Sequence, residues 1–176
     1  MKYIKRLILI LTAFICFGNV FAQWQQSNGP YGGTVICFAN SGTNIFAGTD
    51  HGIFLSSNNG SSWTAVNNGL PSFSYVVSLA ISGTNIFAGT GDGVYLSTNN
   101  GSNWTAVNSG LPENSSVHTL ALCGKKIFAA TYSEGVFSST NNGGSWKKIT
   151  TGLPVTTVNT FAINGNYIFA GTDGEG

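Results

Sequence analysis

At 176 residues the chain has room for one domain or two small ones. Three of its 7 basic residues fall in the first 22 positions; the remainder carries Lys125, Lys126, Lys147 and Lys148 against 6 acids, a net charge of about −2, with no arginine. An arginine-free, mildly acidic surface is a poor match for phosphate backbones, which excludes nucleic acid as a partner.

The amino terminus reads as a secretory signal. Lys2, Lys5 and Arg6 precede an apolar run from Leu7 to Phe17, and Val20-Phe21-Ala22 places small residues where a signal peptidase cuts. Cleavage is expected before Gln23. The apolar run is about half of what spans a bilayer, so no stable membrane insertion is expected after cleavage. Ile15 is too bulky for the lipoprotein site that Cys16 would need. The expected destination is the medium, the periplasm or the cell surface.

Residues 23–176 repeat. Phe46, Phe87, Phe128 and Phe169 lie 41 residues apart, Trp63, Trp104 and Trp146 are spaced by 41 and 42, and the Leu-Pro pairs at 70–71, 111–112 and 153–154 keep step. Such a period decides the fold. In the second repeat, strands are predicted over 76–82, 86–90, 94–97 and 104–107, separated by Gly- and Asn-rich turns. Four short antiparallel strands per 41–42 residues predict one blade of a β-propeller. Strands apolar on both faces, as in Ile86-Phe87-Ala88, suit a blade sandwiched between two others, and Ala88 and Gly89 allow close approach. The repeats run over 31–71, 72–112, 113–154 and 155–176. The expected fold is therefore all-β, with about three and a half blades. Because propellers need at least four blades, the chain is expected to be a fragment of a longer reading frame. The strand-four-like Trp24 to Pro30 at the start points the same way.

The first three repeats each carry one eight-residue phrase: SSNNGSSW at 56–63, STNNGSNW at 97–104 and STNNGGSW at 139–146. It resembles the Asp-box, Ser-x-Asp-x-Gly-x-Thr-Trp, of the sialidase-like, sortilin-like and photosystem-assembly-factor-like propellers. The resemblance implies structural turns made by Ser56, Asn58, Gly60 and Trp63, by Ser97, Asn99, Gly101 and Trp104, and by Ser139, Asn141, Gly143 and Trp146. Asn stands where the family has Asp, yet its side-chain oxygen still accepts backbone N–H groups and closes the turn. The phrase is thus a folding device joining strands three and four, with the Trp burying a large aromatic surface.

Of the carboxylates, Asp50, Asp92, Glu134, Asp173 and Glu175 fall in the turn between strands two and three, and Glu113 follows a Leu-Pro pair. Those turns and the Leu-Pro loops emerge at the blade end opposite the Asp-boxes, where propellers commonly bind ligands. Asp50, Asp92, Glu134 and Glu175 are the candidate ligand face, although ordinary turn roles explain acids that recur once per blade. Sialidases hold their substrate with arginines, so that likeness ends at the scaffold. His51 and His118 show no metal-ligand spacing and are expected at loops or loop edges. No cofactor or metal site is expected. Asn59, Asn100, Asn103 and Asn114 begin glycosylation sequons that composition alone accounts for. Cys37 and Cys123 belong to repeats two apart and are expected to be free thiols. The functional expectation is an exported, non-catalytic scaffold presenting loops to a protein or glycan. The alternative is a fragment of a glycoside hydrolase with its catalytic residues partly outside this chain.

Overall fold

The computed structural model describes residues 27–152 and 157–173, and all their regular structure is β. Fourteen strands form three four-stranded antiparallel sheets and one two-stranded sheet. The first blade comprises β1 (Val35–Ser41), β2 (Asn44–Thr49), β3 (Gly52–Ser56) and β4 (Thr64–Ala65). The second comprises β5 (Val76–Ser82), β6 (Asn85–Thr90), β7 (Gly93–Ser97) and β8 (Thr105–Ala106). The third comprises β9 (Val117–Cys123), β10 (Lys126–Thr131), β11 (Gly135–Ser139) and β12 (Lys147–Lys148). Last come β13 (Val158–Asn164) and β14 (Tyr167–Thr172). This is a propeller of about three and a half blades. The predicted signal peptide, Trp24, the Leu-Pro pair at 153–154 and Glu175 lie outside the described residues.

Within each blade, consecutive strands pair as hairpins, and the register repeats. Phe46 faces Ala39 and Leu55, Phe87 faces Ala80 and Leu96, and Phe128 faces Ala121 and Ser138. Blades meet through their first strands: β1 lies beside β5, β5 beside β9, and β9 beside β13. The core is therefore a series of layers between blades rather than one central mass. The first layer holds Phe46, Ile53, Val76, Ile86 and Trp104; the second holds Phe87, Val94, Val117, Ile127 and Trp146; the third holds Ala130, Val136 and Val158. A side chain between two sheets loses water on both faces, and each buried Phe or Ile contributes about 1.5–3 kcal/mol.

Close approach requires small residues where strand two meets the next blade. A Cβ on Gly48 would lie 2.5 Å from Cys37 Sγ and 2.8 Å from Val76 Cγ1. On Gly89 it would lie 3.0 Å from Val117 Cγ1. Cys37 fills this contact, with Sγ 3.8 Å from the Val76 carbonyl, and in the next blade Ser78 Oγ accepts the Leu120 N–H at 3.0 Å. Cys37 and Cys123 are both free.

Three expectations shift. Trp104 and Trp146 are buried, but Trp63 is only half-buried, because no preceding blade among the described residues covers it. His118 is the second residue of β9 rather than a loop residue, at the irregularity where the register with β10 skips from Val117 to Thr119, and it stacks on Tyr132 at 5.1 Å. Strand four shrinks to two residues in each of the three four-stranded blades.

Candidate functional site

The two ends of the blades do different work. At one end sit the three Asp-box turns. Asn59, Asn100 and Asn142 adopt φ near +55°, followed by Gly60, Gly101 and Gly143 at φ of +81° to +82°. Two successive left-handed residues turn the chain sharply, which suits Asn followed by Gly. Asn58 Oδ1 accepts the Ser62 N–H, Asn99 Oδ1 the Asn103 N–H, and Asn141 Oδ1 the Ser145 N–H, each at 2.9 Å. Ser56, Ser97 and Ser139 are buried at the base, where each Oγ accepts the N–H of the turn glycine at 2.8–2.9 Å. Each hydroxyl also donates to the Asn oxygen at 2.9–3.0 Å.

The Trp leaving this turn crosses to the preceding blade. Trp104 donates its indole N–H to the Val66 carbonyl at 2.8 Å and its backbone N–H to the Asn68 carbonyl at 2.8 Å. Trp146 repeats this with Val107 at 2.7 Å and Ser109 at 2.8 Å. Gly69 and Gly110 lie so close beneath that a Cβ on either would strike the Trp backbone carbonyl. Trp63 Nε1 has no partner among the described residues.

The opposite end gathers the turns after β2, β6, β10 and β14 with the loops that enter each first strand. Buried Thr49, Thr90 and Thr131 build the turns there. Their hydroxyls donate to the Gly52, Gly93 and Gly135 carbonyls at 3.0 Å and accept the N–H of His51, Asp92 and Glu134. The turn is closed by threonine, so the Asp92 and Glu134 carboxylates are not what makes it. Asp50 differs. Its carboxylate accepts the Thr34 N–H and contacts His51 Nδ1, each at 2.8 Å, and the His51 bond holds Asp50 below the usual carboxylate range. Glu134 lies 3.6 Å from Lys148 Nζ, and Asp173 is hydrogen-bonded to Asn159. Asp92 and Glu113 come together at a cleft of about 330 Å³, with Asn108, Pro112, Asn114 and Ser115. Among the described residues, no group of three or more His, Cys, Asp or Glu is placed to hold a metal.

Sequence reasoning passed over Phe73. It is 79 % exposed, has φ +60°, and sets its ring 5.8 Å from His51 at 79°. One period earlier this position is Gly32, at φ +105°, and one period later it is Asn114, at φ +54°. Gly and Asn tolerate the left-handed region, whereas a bulky Phe is a true outlier there. The alignment of 32, 73 and 114 was the available signal. Tyr31, Tyr75 and Tyr132 are also exposed at this end.

Four-stranded sheets stacked through their first strands, each closed by a Ser-x-Asn-x-Gly-x-x-Trp turn, define a β-propeller of the Asp-box type. The chain belongs to the family of the DUF6242 beta propeller domain, whose model matches residues 22–169. No curated protein matches it. Among solved structures it is similar to an ancestral GH74 enzyme, at TM-score 0.65 and 22% identity over 78% of this chain and 22% of that one. It resembles the computationally designed Ika4 protein at TM-score 0.65 and 14% identity, over 84% of this chain and 90% of that one. YCF48 bound to D1 peptide matches at TM-score 0.58 and 13% identity, over 70% and 42%. The chain thus spans about a fifth of the GH74 enzyme's length, and these likenesses show the fold alone.

Proposed function

We propose that the chain is an exported, non-catalytic propeller scaffold that presents the end opposite its Asp-boxes to a protein or glycan partner. The observation that carries this reading is Phe73. Its left-handed backbone costs about 1–2 kcal/mol, and its ring lies in water where neighbouring repeats place Gly32 and Asn114. Within the fold its ring meets the edge of His51 alone among the aromatic pairs, and a strained, largely exposed aromatic suits a contact made outside the fold. Strain and exposure at one residue, beside His51 and Asp50, make a small amphipathic platform. A propeller of the same fold, YCF48, holds the D1 peptide, which agrees with a binding role. The amino-terminal Lys2 to Ala22 pattern supports export. Arrays of glycans and peptides probed with the chain and with Phe73→Gly test this. Binding that disappears in Phe73→Gly is expected; no binding, or binding indifferent to the change, overturns it.

The cleft shared by Asp92 and Glu113 favours a second reading, a glycosidase-type carboxylate pair. Release of reducing ends from β-glucans, abolished by Glu113→Gln, would favour it over the scaffold.

A further inference from the structure

The loops that leave the first and second blades share one frame. Asn67 Oδ1 accepts the Ile53 N–H and Asn108 Oδ1 the Val94 N–H, each at 2.7 Å. Ser74 Oγ donates to the Pro71 carbonyl at 2.8 Å, and Ser115 Oγ to the Pro112 carbonyl at 2.6 Å. Phe73 and its counterpart Asn114 both take the left-handed backbone, at φ +60° and +54°. What stands on the frame differs. From the first blade to the second, His51 becomes Asp92, Ser72 becomes Glu113 and Phe73 becomes Asn114. In the first blade the Phe73 ring lies against the His51 imidazole. In the second, Asn114 takes the ring's place, and Asp92, Asn108, Leu111, Glu113 and Ser115 join it around a cleft of about 330 Å³. Among the described residues, neither the Asp92 nor the Glu113 side chain meets a cation or a hydrogen-bond donor. Two backbone bonds bring exposed phenols to the flanks. The Tyr75 carbonyl accepts the N–H of Gly91, next to Asp92, at 3.2 Å, and the Tyr132 N–H donates to the carbonyl of Ser116, next to Ser115, at 3.1 Å. The second blade has neighbours on both sides, and blades stack through their first strands. Further blades added to that stack would leave this end open.

We infer that this cleft receives the guanidinium of an arginine carried by a partner protein. The inference rests on the scaffold reading and names the chemistry of the partner. Charge complementarity selects a cation. Two carboxylates in one cleft repel an anionic ligand, and a neutral one would leave both charges uncompensated. A guanidinium offers five donors in one plane, enough to meet carboxylates on two different loops, whereas a lysine ammonium is a single point charge. The flanking phenol rings of Tyr75 and Tyr132 add cation–π contact, which guanidinium makes more often than ammonium. The fold has no use of its own for either carboxylate. Thr90 Oγ1 accepts the Asp92 N–H and closes that turn, and Ser115 closes the loop that carries Glu113.

The probe is an array of peptides with varied flanks around a central arginine, beside the same array with citrulline, which keeps the shape and loses the charge. Peptides that bind the chain are titrated by fluorescence anisotropy. Saturable binding of arginine peptides is expected, weakening as salt is raised, and at least about tenfold weaker with citrulline. Asp92→Asn and Glu113→Gln keep the shape of exposed side chains and should each weaken binding at least about tenfold with the Tm unchanged. Asn114→Phe restores the first blade's ring on the same left-handed backbone and should block the cleft. No binding of arginine peptides, equal binding of the citrulline peptides, or binding indifferent to Asn114→Phe each overturns the inference. Binding that survives both carboxylate changes but is lost in Phe73→Gly overturns the arginine site and leaves the scaffold reading standing.

Discussion

The Trp104 indole N–H meets the Val66 carbonyl at 2.8 Å, 38 residues back and one blade away. The last residue of a local turn is thus a tie between blades. Its own turn needs only Ser97, Asn99 and Gly101; the Trp serves the neighbour.

Trp104→Phe should therefore destabilise the chain by about 1–3 kcal/mol, because the Val66 carbonyl loses its donor while the ring is largely kept. Trp63→Phe should cost clearly less, since Trp63 Nε1 has no partner among the described residues and the ring is half-buried. Urea unfolding of the two variants side by side measures the difference; equal losses would contradict the interblade role.

Inside the turn, the Asn oxygen should matter more than its amide nitrogen. Asn99→Ala removes the acceptor for the Asn103 N–H and should cost about 1 kcal/mol. Asn99→Asp keeps the acceptor and should stay within about 0.5 kcal/mol of the parent. Ser97→Ala leaves the Gly101 N–H without its buried acceptor and should cost about 1–3 kcal/mol. Thermal melts of the three variants rank them.

Gly48→Ala should be worse than Gly89→Ala. The added methyl meets Cys37 Sγ at 2.5 Å and Val76 Cγ1 at 2.8 Å in the first case, but nothing nearer than 3.0 Å in the second. Overpacking of this kind costs about 1–3 kcal/mol. Adding Cys37→Ala to Gly48→Ala should recover part of the loss, a non-additivity that a double-mutant cycle reads directly.

Burial lifts the Cys37 thiol from 9.0 to about 11, against a smaller opposing effect of its hydrogen bond with Gly48. The thiolate is the reactive form, so Cys37 should resist thiol reagents at pH 8 until the chain unfolds. The folded pKa is raised, so this contribution is complete below pH 9 and is lost as pH climbs from about 9 through 11. Cys37→Ser should flatten that part of the stability profile. Rapid native labelling of Cys37 would refute the burial.

The terminal blades expose what inner blades cover. Phe38 is 61% exposed, whereas its counterpart Leu120 is 8%; Phe169 is 57% exposed, whereas Phe46 and Phe87 are 0%. Exposed sheet faces of this kind promote association. Residues 23–176 produced alone should self-associate on size-exclusion chromatography. A monodisperse, cooperatively melting monomer would be the contrary result.

The sequence alone determined the period, the strand order and the chemistry of the Asn-Gly turns. Each of these is local: alternation of apolar residues, Asn-Gly turns and a Trp at fixed spacing act within a few residues and repeat in register. Tertiary structure decided what depends on neighbours. It turned Trp104 and Trp146 outward to the preceding blade and left Trp63 half-buried. It assigned the strand-two turns to Thr49, Thr90 and Thr131 rather than to the acids. It brought Asp92 and Glu113 into one cleft and stood Phe73 in solvent beside His51. The physical reason is that a blade is buried by the blades on either side. Position in the repeat sets a residue's conformation, but only the stacking of repeats sets what it touches.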